Sequence, residues 1–209
     1  MGEVRRTLMT KLLHVFLLLS VLWQLFASGL VERPRAGQPG NLFYDIHEIV
    51  GLATLALVLV FWLWSVVRRC ETPFAALFPW LSGGRLKLLI TDVSAHWTAM
   101  RQWQLPHAET ETPLATAVHG LGLLTTLAMA ASGAWLYTQM VPGGLVLEVH
   151  KAVSNLMWAY LVAHAGLALV HQAMGHRVLQ RMFIRNAETQ GLAPPSIKKT
   201  GNVAGSRIR

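Results

Sequence analysis

The most informative part of the chain is residues 149–174, VHKAVSNLMWAYLVAHAGLALVHQAM, in which Lys151 is the only Lys, Arg, Asp or Glu. A helix crosses the hydrocarbon core of a bilayer with about 20 mostly apolar residues, because each residue rises about 1.5 Å. The stretch has 26 residues and therefore predicts a membrane-spanning helix. It also places three histidines, His150, His164 and His171, along that helix.

Three other stretches, residues 12–30, 46–67 and 117–138, meet the same criterion. The whole chain is 53% hydrophobic and only 13% charged, whereas soluble domains average about 25% charged residues. The sequence therefore predicts an all-α integral membrane protein, a bundle of four transmembrane helices. The first stretch follows basic residues as a signal peptide does, but we interpret it as a retained helix, because its apolar run is long and carries His14.

The positions of Lys and Arg predict the orientation of the bundle. Short cytoplasmic connections are enriched in these residues. If both termini are cytoplasmic, 15 of the 18 Lys and Arg lie on that side, and only Arg33, Arg35 and Lys151 lie outside. The formal charge of +8 does not indicate a nucleic-acid partner, because the basic residues separate the apolar runs instead of forming one face. The expected surroundings are membrane lipid.

The long inner connection, residues 68–116, contains an apolar stripe with helical spacing. The stripe consists of Leu86, Ile90, Val93, Trp97 and Met100. It predicts an amphipathic helix between spans two and three, which either lies on the inner membrane surface or docks on the bundle as a loop helix. Residues 1–190 are expected to form one transmembrane domain, and residues 191–209 a disordered basic cytoplasmic tail.

Histidines in the spans are the candidate functional residues. Five lie inside or at the edge of a span and a sixth near the inner end of the fourth: His14, His47, His119, His150, His164 and His171. Ionisable residues at membrane depth are costly and usually functional, and imidazole is a ligand for iron, copper, zinc or nickel. One such histidine is often structural, but a group of six favours metal ligation. Cys70 is the only cysteine, so covalent haem attachment through a C-x-x-C-H motif is excluded.

The spacing on the fourth helix favours haem over a single metal ion. His150 and His164 are 14 residues apart, which places them on one face about 21 Å apart along the axis. Two centres at two depths are implied. A zinc or copper site needs several ligands around one ion, whereas haem needs one axial ligand from each of two facing helices.

Depth along the spans indicates which histidines pair. His47 and His150 both enter their helices from the outside and form an outer pair. His14 lies near the inner end of the first helix and faces either His164 or His171, between which depth does not decide. Gly51 and Gly166 either allow close approach of a porphyrin or serve ordinary helix packing.

Four motifs carry a resemblance to a known family, and together they cover nearly all of the four spans. They are Lys11-Leu12-Leu13-His14, Ile46-His47-Glu48-Ile49-Val50-Gly51, Ala117-Val118-His119-Gly120-Leu121-Gly122, and the set His150, His164 and His171 followed by Leu179-Gln180-Arg181-Met182. With them the sequence resembles the bacterial cytochrome b561 family. It is also similar in layout to the b-type cytochrome subunits of membrane hydrogenases.

The resemblance implies two haems b, with His14 and His164 as the inner ligand pair and His47 and His150 as the outer pair. It therefore favours His164 over His171. His119 and His171 are expected either near the inner haem or a quinone site, or in a structural role.

The resemblance also implies an electron conduit in the bacterial inner (plasma) membrane, between the periplasmic face and the quinone pool. A superoxide:ubiquinone oxidoreductase is one form of it. The alternative is an anchor subunit that relays electrons for a peripheral dehydrogenase or hydrogenase, so whether the chain is itself an enzyme stays open. A haem-free transporter or scaffold is the rival from another class, but no internal repeat or broken helix favours it.

Overall fold

The computed structural model describes residues 6–69, 71–102, 112–175 and 178–183. Within these ranges the regular secondary structure is helical, and no strand occurs. The helices are α1 (Leu8–Ala27), α2 (Leu42–Val67), α3 (Phe74–Leu77), α4 (Gly83–Arg101), α5 (Pro113–Tyr137), α6 (Gly144–Ala173) and α7 (Val178–Phe183). Among the described residues, α1, α2, α5 and α6 are long and apolar enough to cross a membrane, with α1 extended by a 3-10 turn at Ser28–Leu30. The predicted four-helix membrane protein is confirmed.

Each long helix begins four or five residues before its predicted start. The reason is that a polar or charged residue in each first turn, Lys11, Asp45, Thr116 or Glu148, stands directly before the uninterrupted apolar run. The side chains of Thr7, Asn41 and Thr112 accept hydrogen bonds from the backbone N–H three residues later, which is the usual N-cap arrangement. The start of α6 is different, because it lies at Gly144, which has a positive φ of 69°. Residues that carry a side chain rarely adopt this backbone angle.

The core of the bundle is narrow, and most large apolar side chains face outward. α1 packs on α2, α2 on α5, and α5 on α6. Val58 and Met157 are almost completely buried in two apolar clusters, whereas Phe26, Ile49 and Leu63 are about two-thirds exposed. An apolar surface of this kind is what a lipid-embedded bundle presents, since lipid is as apolar as the core.

The two ends of the bundle differ. One end, which we call the loop end, carries Arg6, the connection between α2 and α5, and α7. The other, the turn end, carries residues 28–41 and 138–143. The loop end is the end that the distribution of Lys and Arg predicts to be cytoplasmic. The short helix α3 packs so closely on α5 there that a Cβ atom at Gly120 would collide with the backbone carbonyl of Leu77.

The stripe of the inner connection forms α4, as predicted. One side of α4 is tied to the bundle: Asp92 Oδ2 accepts from the backbone N–H of Leu114 at 2.8 Å, and Arg85 donates to the carbonyl of Ala75 at 3.0 Å. The apolar stripe on another side is exposed, with Trp97 60% accessible. The predicted disordered tail, residues 191–209, lies outside the described residues.

Candidate cofactor sites

At the turn end, a cavity of about 800 Å³ opens among the four long helices, and His47 of α2 and His150 of α6 both line it. Their ring centroids are 6.3 Å apart and the ring planes are at 83°. An imidazole nitrogen lies about 2 Å from a metal ion that it ligates, so the centroids of two imidazoles on opposite sides of one ion are separated by about 6 Å. The observed separation fits one metal ion between the two rings.

The tautomer of His150 also fits metal ligation. Its Nδ1 atom lies 2.9 Å from the hydroxyl of Ser132, and that hydroxyl donates to the carbonyl of Met129 at 2.9 Å. A hydroxyl has one hydrogen to donate, so its oxygen accepts the hydrogen of His150 Nδ1. The lone pair of the His150 ring is then on Nε2, which is the arrangement that metal-ligating histidines usually have.

His47 is held through its backbone. Gln24 of α1 donates from Nε2 to the His47 carbonyl at 2.8 Å. A Cβ atom at Gly51 would lie 2.9 Å from the same Gln24 nitrogen, so Gly51 leaves room for Gln24 and serves helix packing. The Nδ1 atom of His47 is buried without a hydrogen-bond partner among the described residues. Buried polar atoms without a hydrogen-bond partner are rare in proteins, and a bound ion is one explanation for them.

At the loop end, a smaller cavity of about 140 Å³ is lined by His14, His119 and His164, from α1, α5 and α6. His171 is not among its lining residues. The Nδ1 atom of His14 is buried without a hydrogen-bond partner among the described residues, as for His47. The ring of Phe183, in α7, lies edge-on to His14 at 6.1 Å.

The rings of His119 and His164 are 5.2 Å apart and nearly perpendicular. His119 donates from Nδ1 to the Ala115 carbonyl at 2.6 Å, because a carbonyl only accepts. The ring of Tyr160 stacks on His164 at 5.3 Å with an interplanar angle of 9°. A Cβ atom at Gly122 would overlap Tyr160, so this glycine allows the stack. By contrast, a Cβ atom at Gly166 would meet nothing within 4 Å.

A buried polar cluster borders the loop-end cavity, and no motif in the sequence predicts it. The Glu71 carboxylate is fully buried. Its Oε1 atom accepts from the Thr7 backbone N–H at 2.8 Å, from the Thr7 hydroxyl, and from the Thr10 hydroxyl at 2.9 Å. Its Oε2 atom lies 3.4 Å from Arg68 Nη1 and 3.8 Å from Arg6 Nη1. Glu71 thus joins the start of α1 to the chain after α2.

Metal sites built from three or more His, Cys, Asp or Glu side chains do not occur in the part of the chain that the structure describes. The histidines instead face cavities at two depths of a membrane-spanning bundle, from helices that face each other. This is the arrangement of a membrane protein that binds haem between helices.

The chain belongs to the prokaryotic cytochrome b561 family, because the family model described as "Prokaryotic cytochrome b561" matches residues 5–184. Membership makes it a multi-pass membrane b-type cytochrome of electron transfer that binds haem b. No curated protein and no solved structure matches the chain.

Proposed function

We propose that the chain binds two haems b and conducts electrons between the two ends of the bundle. His47 and His150 would hold one haem in the turn-end cavity. His14 and His164 would hold the other in the loop-end cavity. The observation that carries the proposal is the 6.3 Å separation of the His47 and His150 rings across a cavity of about 800 Å³.

Support at the loop end comes from the residues around the proposed ligands. His14 and His164 line one cavity from α1 and α6, and Tyr160 fixes the plane of the His164 ring. His119 lines the same cavity, but its Nδ1 atom is bonded to the backbone, and we propose that it borders the haem or a quinone. His171 is outside the lining, so we propose that it is not a ligand.

The haem group supplies a one-electron iron couple, and the protein supplies ligation, orientation and a dry environment. Val21, Thr126 and Met157 line both cavities and form the wall between them. Met157 in this wall is only 2% exposed. The two proposed redox centres are therefore neighbours inside one protein.

For the electron donor and acceptor, we propose a small anion such as superoxide at the turn end and ubiquinone in the membrane, as in a superoxide:ubiquinone oxidoreductase. Two superoxide ions would each lose one electron to give O₂, and the quinone would take both electrons with two protons. Arg33, Arg35 and Lys151 line the turn-end cavity, together with Glu32 and Glu48. Arg33 and Arg35 support attraction of an anion, although Lys151 is paired with Glu148 at 2.9 Å and the two carboxylates offset part of the positive charge.

Haem content tests the proposal directly. We expect two haems per chain by pyridine haemochrome assay, and full extraction into acidified acetone because no C-x-x-C-H motif is present. The reduced-minus-oxidised spectrum should show b-type bands. A haem-to-protein ratio near one would contradict the two-haem proposal in favour of a single-haem protein.

A further inference from the structure

The ring of His150 contacts one turn of α5 that includes a serine outside the turn-end cavity. The Nδ1 atom of His150 lies 2.9 Å from the Ser132 hydroxyl, and Ser132 is not among the residues that line the cavity. The α5 backbone is close to the same ring, since a Cβ atom at Gly133 would lie 3.2 Å from His150 Cε1. His150 therefore lines the cavity while its Nδ1 and Cε1 atoms rest against α5.

The hydrogen bond between these side chains runs from the histidine to the serine. Ser132 donates its one hydrogen to the Met129 carbonyl at 2.9 Å, so its oxygen accepts the hydrogen of His150 Nδ1. The Met129 carbonyl, which only accepts, is also within hydrogen-bonding reach of the His150 ring, so both neighbours require a hydrogen on Nδ1. Hydrogen bonds in a chain polarise one another, and donation to Met129 therefore makes the Ser132 oxygen a better acceptor.

The opposite ligand of the proposed pair lacks such a contact. The Nδ1 atom of His47 is buried and has no hydrogen-bond partner among the described residues. An acceptor on Nδ1–H makes the ligating nitrogen of an imidazole a stronger electron donor. A stronger donor lowers the reduction potential of a haem, because it stabilises ferric iron, which carries the higher charge, more than ferrous iron. Within this pair, His150 is the ligand that a side chain strengthens.

We propose that Ser132 is a positioning residue, which keeps the hydrogen of His150 on Nδ1 and lowers the reduction potential of the haem held by His47 and His150. This inference rests on the proposed function, since it needs a haem between those two rings. A lower potential at the turn end favours the passage of electrons from there to the loop end. Ser132 thereby contributes to the direction of electron flow.

The experiment compares Ser132→Thr with Ser132→Val, because Thr and Val have nearly the same shape and differ in the hydroxyl. In a helix, Thr bonds its hydroxyl to a preceding carbonyl, as Ser132 does. The reduction potential of each haem is measured by optical redox titration, and the component that is absent in His150→Leu is assigned to the turn end. We expect the Thr variant to keep the native potential.

The Val variant should raise the turn-end potential. We expect about a threefold change or more in the ratio of reduced to oxidised haem, which corresponds to about 30 mV because a tenfold change is about 59 mV for one electron. Ser132→Cys should shift the potential in the same direction, since a thiol is a weak acceptor. It replaces Ser132→Val in the comparison if the larger side chain prevents haem binding.

Thr125→Val is the matched control for the loss of a hydroxyl from α5. Thr125 donates to the Leu121 carbonyl at 2.9 Å, as Ser132 does to Met129, but it lines neither cavity. The potentials of both haems should be unchanged in this variant. The loop-end haem is an internal reference in every sample.

Equal turn-end potentials in the variants with and without the hydroxyl, with two haems in each, would contradict this inference alone. A shift of equal size in the loop-end haem would also overturn it, because that result indicates a general change of the bundle. Failure of the proposed function would be visible separately, as a haem content that is the same in His150→Leu as in the native chain. That result would contradict the haem site and this inference together.

Discussion

At the scale of single residues, the neighbours of each histidine distinguish a proposed ligand from the others. His164 lines the loop-end cavity and is stacked on Tyr160, whereas His171 is one helical heptad further along α6 and outside the lining. We therefore expect His164→Leu to lose one haem and His171→Leu to keep both. The haem content of each purified variant, measured by haemochrome assay, checks this. Loss of a haem in His171→Leu alone would show that the loop-end pair is wrong.

Gly122 and Gly166 both lie in apolar stretches of the sequence, but their surroundings in the structure differ. A Cβ atom at Gly122 would overlap Tyr160, which stacks on His164, whereas a Cβ atom at Gly166 meets nothing within 4 Å. We expect Gly122→Ala to displace Tyr160, tilt the His164 ring and cost about 1–3 kcal/mol of stability through overpacking. The electron paramagnetic resonance signal of one haem should shift and that of the other should not. Gly166→Ala is the matched control, and a spectrum of Gly122→Ala identical to it would refute the role of the stack.

How far the site could be predicted depends on the kind of contact. His14, His47, His150 and His164 are polar residues in apolar runs, and that local contrast makes them visible in the sequence. The buried contacts of Glu71 could not be predicted, because its partners Arg6 and Thr7 are more than 60 residues away in the sequence. They meet Glu71 only when α1 packs against α2. Sequence distance hides such contacts, since only the folded bundle brings the two segments together.

At the scale of helices, apolar runs predicted the four spans because the bilayer requires about 20 apolar residues in each. The helices begin about one turn before the predicted starts, because a polar or charged residue in each first turn interrupts the apolar run. The short helix α3 was not predicted, since four residues carry no periodicity. Its close contact with Gly120 depends on the absence of a side chain, which a sequence does not reveal without the partner.

The exposed stripe of α4 leads to a prediction about its surroundings. Trp97 and Thr98 are both exposed, but they project about 100° apart, and only Trp97 belongs to the apolar stripe. We expect α4 to lie with this stripe in the membrane interface. Spin labels at Trp97→Cys and Thr98→Cys, each in a Cys70→Ser background, should differ in nanodiscs. The label at 97 should be more accessible to oxygen, and the label at 98 to a water-soluble nickel complex. Equal access to the nickel complex would instead favour a solvated loop helix.

At the scale of the whole molecule, the arrangement of the two cavities suggests a path for electrons. The proposed ligands on α6 are about 21 Å apart along the helix axis, yet the cavities share the wall of Val21, Thr126 and Met157. Electrons could therefore cross much of the bundle between neighbouring centres without a mobile carrier. Such a path is useful only if one end meets a soluble donor and the other meets an acceptor that the membrane supplies.

Quinone is the acceptor that fits this requirement, because it is lipid-soluble and the sequence contains no Gly-rich nucleotide-binding loop to accept hydride from NADH. We expect the dithionite-reduced protein in nanodiscs to be reoxidised rapidly by a ubiquinone analogue, and NADH alone not to reduce it. Stopped-flow spectroscopy of the haem bands measures both reactions. His171→Leu, in which both haems should remain, is a control for damage to the bundle. If quinone oxidises neither haem although both are present, the chain is an anchor subunit that relays electrons only with a bound dehydrogenase or hydrogenase partner.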